Sequence, residues 1–386
     1  MPGEPRIVIG AGPAGCALAI RLARAGATPL LLERSAQLQP RLCGEFISAE
    51  AVAALAALGV DVWALGGQPT HRLRLVQGQR VIEVELPFTA YGLSRSTLDG
   101  ALQSRALAAG VPLWRGARAS VLRLADAAQP FLLQVRSRCG PPLPLHTRCL
   151  ILACGKTDLS PLQRRAARAP EPLLGLQTHL RLHPAQHDAL HGAVEVMLFD
   201  RGYGGLQRVE GDRVNLCLLV HRDAARNGSG GSHGADLQAL LQSLQQQCPL
   251  LAERLQGATW DAEAPRSVYR VPYGYLHRAS AADPPGLWRL GDQAAVIPSY
   301  TGDGVAIALH SAALAAHELL AGASARQYHE RLHRELSAQM ATAVGLYRLG
   351  AQPRTRALLW PLLQRWPALP RWLARMTRVP ATTLSW

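Results

Sequence analysis

Hydrophobic residues in this chain follow three rhythms. From Arg6 to Arg34 the sequence reads RIVIGAGPAGCALAIRLARAGATPLLLER: a short run of β-formers ending at Ile9, apolar residues at helical spacing, then a second apolar run, LLLE. That order predicts strand, tight turn, amphipathic helix and strand. Strict alternation takes over in HRLRLVQGQRVIEVELPF, His71 to Phe88, and returns in GLQTHLRLHP, AVEVMLFD and VNLCLLVH. Period-two stretches of this kind predict an antiparallel sheet with one buried face. The third rhythm, GLWRLGDQAAVIPSYTGDGVAIALHSAALAAHELL from Gly286 to Leu320, predicts a short strand, a loop holding Pro298, Gly302 and Gly304, and a long helix of small residues.

Composition narrows the class. At 386 residues and 48% hydrophobic, the chain buries an enzyme-sized core. The start, MPGEPRIVIG, has no signal-peptide pattern and no eighteen apolar residues run together, so a cytoplasmic location is expected. Seven scattered cysteines give neither a disulfide framework nor zinc-finger spacing. His179, His183, His187 and His191 recur every four residues, but Pro184 breaks the helix that would align them, and no metal site is expected. The net charge of +14 raises nucleic acid or an anionic membrane as partners. Arginines are nevertheless spread along the chain, Lys156 is the sole lysine, and no nucleic-acid-reading motif accompanies them, so no nucleic-acid partner is expected. Residues 224–236, AARNGSGGSHGAD, read as a flexible loop. The tail RTRALLWPLLQRWPALPRWLARMTRVP interleaves arginines with Trp360, Trp366 and Trp372; it either touches a membrane peripherally, helps admit a greasy substrate, or packs on the core.

Candidate chemistry begins at Gly10, Gly12 and Gly15, which fit G-x-G-x-x-G between strand and helix. The first permits the turn, the second lets backbone N–H groups approach a pyrophosphate, and the third lets helix and strand pack closely. Glu33, ending the second strand, is placed to accept bonds from ribose hydroxyls, with Arg34 beside it. An acid there favours FAD or NAD over NADP. In the third rhythm, Asp292 at a strand tip suits a polyol, and the glycine-rich helix start offers N–H donors.

Together these segments resemble flavoproteins of the para-hydroxybenzoate hydroxylase fold, over most of residues 6–325. The resemblance implies FAD, with Asp292, Pro298, Gly302, Asp303 and Gly304 along the ribityl chain and isoalloxazine; Asp303 takes the place of an acid in the geranylgeranyl-reductase-like branch. Arg95, in GLSRSTLDGAL, matches an arginine beside the FAD, its alternative being a helix cap or surface ion pair. RLCGEFISAE, Arg41 to Glu50, matches the loop that passes the flavin. Cys43 there is filler, redox neighbour or covalent anchor; Gly44 admits close backbone approach; Glu45 bonds a flavin edge or substrate, or charges a helix N-terminus. The implied architecture is α/β: a Rossmann-type FAD domain (1–70, 91–170, 265–325), an inserted antiparallel-sheet substrate domain (71–90, 171–264) and a helical C-terminal region (326–386).

The sequence departs from that family in informative places. Cys154-Gly155 stands where aromatic hydroxylases carry Asp-Gly, leaving Gly155 as the FAD contact and NAD(P)H as at most a transient electron donor. The halogenase Trp-x-Trp-x-Ile-Pro motif is absent. Of the reductase hairpin Tyr-x-Trp-x-Phe-Pro only Tyr203 remains, with Gly205 and Gln207 opening space. The expected function is an FAD-dependent monooxygenase that uses molecular oxygen, through a flavin peroxide, to hydroxylate a hydrophobic aromatic or polyketide-like metabolite. The alternative is a geranylgeranyl-reductase-like enzyme acting on a C=C or C–C bond. Cys43, Glu45 and Tyr203 are the candidate catalytic side chains. A protein that binds nucleic acid or membrane and keeps FAD only as structure or sensor is the third possibility.

Overall fold

The computed structural model describes residues 5–137, 140–165, 171–223, 237–366 and 368–379. The Gly/Ser-rich stretch 224–236 and Cys139 lie outside them, as does the end of the tail.

A parallel sheet joins strands of the N-terminal segment to one from far downstream. It joins β1 (Ile7–Ile9), β2 (Leu30–Glu33), β6 (Leu113–Arg115), β10 (Leu150–Leu152) and β18 (Leu287–Arg289) in the order β18-β10-β1-β2-β6. Its strands are buried on both faces, which is why LLLE and LILA read as continuous apolar runs. One face carries α1 (Pro13–Arg24), α3 (Arg95–Ala108) and α7 (Gly304–Leu320). Small residues of α7, Ala306 and Ala312 among them, let it sit against α1. On the other face a three-stranded sheet, β7 (Arg118–Arg123), β8 (Phe131–Arg136) and β9 (Leu143–Thr147), packs Phe131, Leu133 and Val135 on Leu32, Leu150 and Leu152.

The second, larger sheet takes in β3 (Phe46–Ile47), β4 (Gln68–Gln77), β5 (Arg80–Gly92), β11 (Leu173–Arg181), β12 (Ala193–Phe199), β13 (Gly202–Arg208), β14 (Val214–His221) and β15 (Thr259–Trp260), with β16 (Arg266–Tyr269) also on β11. Alternation is visible in β12, where Ala193, Glu195, Met197 and Phe199 are buried in turn. One pairing departs from the antiparallel expectation: β12 runs parallel to β4, because the long connection between them returns the chain in the same direction. β17 (Tyr275–Leu276) and β19 (Ala295–Val296) form a small antiparallel pair. α2 (Ala49–Ala57) follows β3, α4 (Pro184–Ala189) follows β11, and α5 (Leu237–Gln247) and α6 (Pro249–Leu255) cover one face of the large sheet through Leu240, Leu244 and Leu251.

The chain ends in α8 (Ala325–Ala351), α9 (Pro353–Arg365) and α10 (Ala368–Met376). Ser324 and Gln327 start α8 with a reciprocal capping box. No helix among the described residues is long and apolar enough to cross a membrane. The four histidines do not share a helix, since His179 lies in β11 and α4 begins only after His183.

Candidate functional site

The turn after β1 is built for close backbone approach. Gly10 has φ +108°, and a Cβ there would fall 2.4 Å from the Ala153 carbonyl oxygen; one on Gly15 would fall 1.9 Å from the Gly10 oxygen. Both positions exclude a side chain by packing. Gly12 is different: a Cβ there would meet only Arg95 Nη2, at 3.6 Å, because this glycine faces open space. The first turn of α1, free of acidic side chains, points its N–H groups at that space. Glu33 is buried and holds the turn, its Oε2 accepting from Ala11 N (3.1 Å) and its Oε1 from Ser35 N (2.9 Å) and Arg41 (3.2 Å). Oε1 is thereby filled by two donors, whereas Oε2, with one, keeps a lone pair for a further donor. Arg34, next to it, is exposed on the cavity rim.

Arg95 opens α3 and spans to Asp99 one turn on, with Nε–Oδ1 at 3.0 Å and Nη2–Oδ2 at 2.9 Å. It is thus ion-paired, but at the wall of the site rather than on an outer surface. Burial opposes its charge and Asp99 more than offsets this, so the guanidinium remains charged.

The Cys43–Glu45 loop is pinned from the large sheet. Asn215 Nδ2 donates to the carbonyls of Cys43 (3.2 Å) and Gly44 (2.9 Å), and Gln207 Nε2 donates to Gly44 as well (2.9 Å). Glu45 adopts φ +59° and is 1% exposed. Its Oε1 accepts from Arg95 N (3.0 Å), and Oε2 meets His179 Nε2 (2.7 Å). The carboxylate therefore charges a helix N-terminus, that of α3, which lies far from it in sequence. Each oxygen thus has one protein partner, and the titratable group in contact with the carboxylate is His179. Cys43 stays half-buried at the wall, its Sγ accepting from Glu45 N (3.3 Å).

The late segment turns beside this loop. Asp292 and Gly155 face each other across the cavity wall, with Lys156 Nζ 3.9 Å from Asp292 Oδ2 and bonded to Leu42 O (3.2 Å). Gly302, at φ +73°, leaves room for Phe46, whose ring a Cβ would strike at 2.5 Å. Gly302 and Gly304 line the cavity; Pro298 and Asp303 do not, contrary to the role expected of them. Pro298 shapes the turn by accepting from Thr301 Oγ1 (3.0 Å). Asp303 directs its carboxylate to the C-terminal helices, where buried donors wait for it: Arg378 Nη1 at 2.7 Å and Gln339 Nε2 at 2.7 Å. Burial pushes this carboxyl up to about 7 in spite of Arg378.

Tyr203 meets the same loop. Its hydroxyl lies 2.5 Å from Ser299 Oγ and accepts from Tyr300 N (3.1 Å), while Tyr273 donates to Ser299 Oγ (3.1 Å). Burial raises both phenols well above their ordinary range, so they are neutral donors. Of the three tyrosines in VYRVPYGYL only Tyr273 lines the cavity. Ser299 had no sequence signal beyond being a polar residue between Pro298 and Gly302, and His179 was legible only as part of a histidine spacing.

These parts enclose one continuous cavity of about 1360 Å³, running from Gly10–Gly12 past Cys43 and Asp292 to an apolar wall of Leu73, Leu75, Val194, Val196 and Leu198. The inner faces of α9 and α10 roof it with Leu359, Trp360, Leu363, Leu369 and Leu373. Among the described residues no group of three or more His, Cys, Asp or Glu is placed to hold a metal. An elongated dinucleotide fits the glycine end, where the cradle is one a Cβ would fill.

Residues 5–134 match the model of an FAD binding domain family. Menaquinone reductase from Mycobacterium tuberculosis is 32% identical over 168 residues, 42% of this chain and 40% of that protein. Digeranylgeranylglycerophospholipid reductase 1 from Methanopyrus kandleri is 38% identical over 119 residues, 30% of this chain and 31% of its own. The chain thus spans well under half the length of these relatives. Among solved structures, pqsL, a probable FAD-dependent monooxygenase from Pseudomonas aeruginosa, superposes with a TM-score of 0.72 at 16% identity, covering 93% of this chain and all of that one. Residues 5–134 are thus similar to an FAD binding domain family, and the described residues share the fold of the solved structure they superpose on.

Proposed function

We propose that this chain is an FAD-dependent oxidoreductase that hydroxylates a hydrophobic aromatic substrate with molecular oxygen. The observation that carries the aromatic part is the set-back wall at Gly205: a Cβ there would meet nothing nearer than the Cys217 carbonyl oxygen, at 4.0 Å. Gln207 does not fill the gap, since its amide nitrogen is drawn to the Gly44 carbonyl. A ring has room there, between the loop at Cys43 and the apolar strands.

When bound, FAD supplies two-electron chemistry and, with oxygen, an oxygen atom for transfer. Gly10, Gly12, the α1 N-terminus, Glu33 and Arg95 would hold its adenosine and pyrophosphate; Asp292, Gly155, Gly302 and Gly304 would hold its other half. The roof and the leucine-rich wall exclude water, and the pinned Cys43–Glu45 loop fixes where the substrate rests. Electrons come from NAD(P)H bound transiently or from another reductant.

A second reading, reduction of a C=C bond in a lipophilic chain, has its own support in the Tyr203–Ser299–Tyr273 hydroxyls, which can hand a proton to a substrate carbon, and in the named reductase relatives. Two variants separate the readings. Gly205→Phe should leave FAD affinity intact and lower kcat/KM for lipophilic phenols about tenfold or more by filling the ring's space. Tyr203→Phe should slow hydroxylation little but slow an alkene reduction by about a hundredfold. Hydroxylation unaffected by Gly205→Phe would refute the proposed placement of the substrate.

A further inference from the structure

Helices α9 and α10 each have two chemically different faces. Inward, Leu359, Trp360, Leu363, Leu369 and Leu373 roof the cavity. Their arginine neighbours on that side are all engaged: Arg356 is buried and donates to Phe199 O (2.9 Å) and Asp200 (3.2 Å), and Arg378 holds Asp303 and Thr301 O. Arg378 also lies over the rings of Phe46 and Phe88, 5.8 and 5.2 Å from their centroids.

Outward the pattern inverts. Along α9, Arg354, Leu358, Leu362 and Arg365 follow each other at helical spacing, all exposed, with Leu358 74% accessible. Beyond it Trp366 (59%) and, on α10, Arg371, Trp372 (53%), Arg375 and Met376 continue the surface. None of these four arginines has a carboxylate partner among the described residues, and the sequence has no Asp or Glu from residue 336 onward. Since both helices turn their inner faces to one cavity, both outer faces look away from it.

Large apolar side chains held in water beside arginines that have no ion pair among the described residues match a surface that is apolar within and negative at its boundary. Tryptophan suits the headgroup level and arginine the phosphates. We infer that the outer face of α9 and α10 docks on an anionic phospholipid bilayer, which sets the roof of the cavity against the lipid. The surface argument stands apart from the reaction proposed above; that reading adds only the reason for docking, delivery of a hydrophobic substrate from the bilayer into the cavity.

The test is flotation of the FAD-loaded protein with vesicles of phosphatidylcholine alone or mixed with phosphatidylglycerol, reading no turnover. The mixed vesicles should carry the protein and the neutral ones should not. Arg365→Gln/Arg371→Gln/Arg375→Gln should weaken partitioning about a hundredfold, near fivefold for each charge removed. Trp366→Ser/Trp372→Ser should weaken it about tenfold or more. All five positions are exposed, and unchanged melting and flavin content would show that the variants fold. Brominated lipid should quench the parent's tryptophan emission, and less so that of the tryptophan variant.

Failure of the parent to float with the mixed vesicles overturns the inference and leaves the flavin chemistry untouched. Flotation unchanged in both variants overturns it too, since attraction would then come from the overall positive charge. Equal retention on duplex DNA, lost in the arginine variant alone, would assign the surface to nucleic acid, and self-association lost in the tryptophan variant without lipid binding would assign it to a second copy of the chain.

Discussion

A methyl group on Gly12 would touch only a guanidinium at 3.6 Å, whereas one on Gly15 would collide with a backbone carbonyl at 1.9 Å. The two glycines of one motif therefore answer to different tests. Gly15→Ala should lower the stability of the flavin-free protein by about 1–3 kcal/mol, because helix and strand must part. Gly12→Ala should leave that stability within about 0.5 kcal/mol of the parent and weaken FAD by about tenfold or more, because the methyl occupies the phosphate's space. Thermal melting and flavin-fluorescence titration read the two effects separately. At this scale the glycines and Glu33 were legible because their chemistry is local. Glu45 was half legible: its place in a loop beside the flavin segment could be read from Cys-Gly-Glu, but its partners, Arg95 N and His179, lie 50 and 134 residues away. No spacing rule reaches that far.

Between elements, buried ion pairs join parts of the chain that the hydrophobic pattern lists separately. Glu195, fully buried in β12, is held by Arg254 of α6 (2.9 Å) and Arg74 of β4 (3.1 Å). Alternation puts Glu195 on the inner face, yet only the fold supplies the arginines. Arg254→Met should cost about 3 kcal/mol by leaving the buried carboxylate with Arg74 as its one remaining guanidinium partner, measured as urea unfolding. Asp303 ties the flavin-side loop to the C-terminal helices. Its carboxyl titrates at about 7 in the fold against an ordinary 3.8, with Arg378, Glu50, Gln339 and Ser48 around it. Between those values the folded state holds a proton that the unfolded state has released, so stability falls as pH rises. Compared with Asp303→Asn, the parent should lose about 1.4 kcal/mol per pH unit across that window and level off above it. Parallel stability curves for the two proteins would contradict this assignment. The loop motif announced Asp303 but not its direction, which is decided by Arg378, 75 residues later and just past the last helix.

For the molecule as a whole, the periodicities of the sequence sufficed for a parallel sheet with helices on one face and a second sheet of alternating strands. They did not show that α5 and α6 cover the large sheet, that β4 and β12 run parallel, or that the C-terminal helices roof the cavity, because each depends on which distant faces meet. The account's central claim is that this cavity lets FAD and oxygen act on a hydrophobic aromatic ring. It is tested most directly by loading the protein with FAD, photoreducing it without oxygen, and adding oxygen-18 gas with a lipophilic phenol. Mass spectrometry should find one labelled oxygen in the product, in proportion to the flavin reoxidised. Reoxidation with no label in any product, together with anaerobic reoxidation by a lipophilic alkene that becomes saturated, would contradict the claim and leave the reductase in its place.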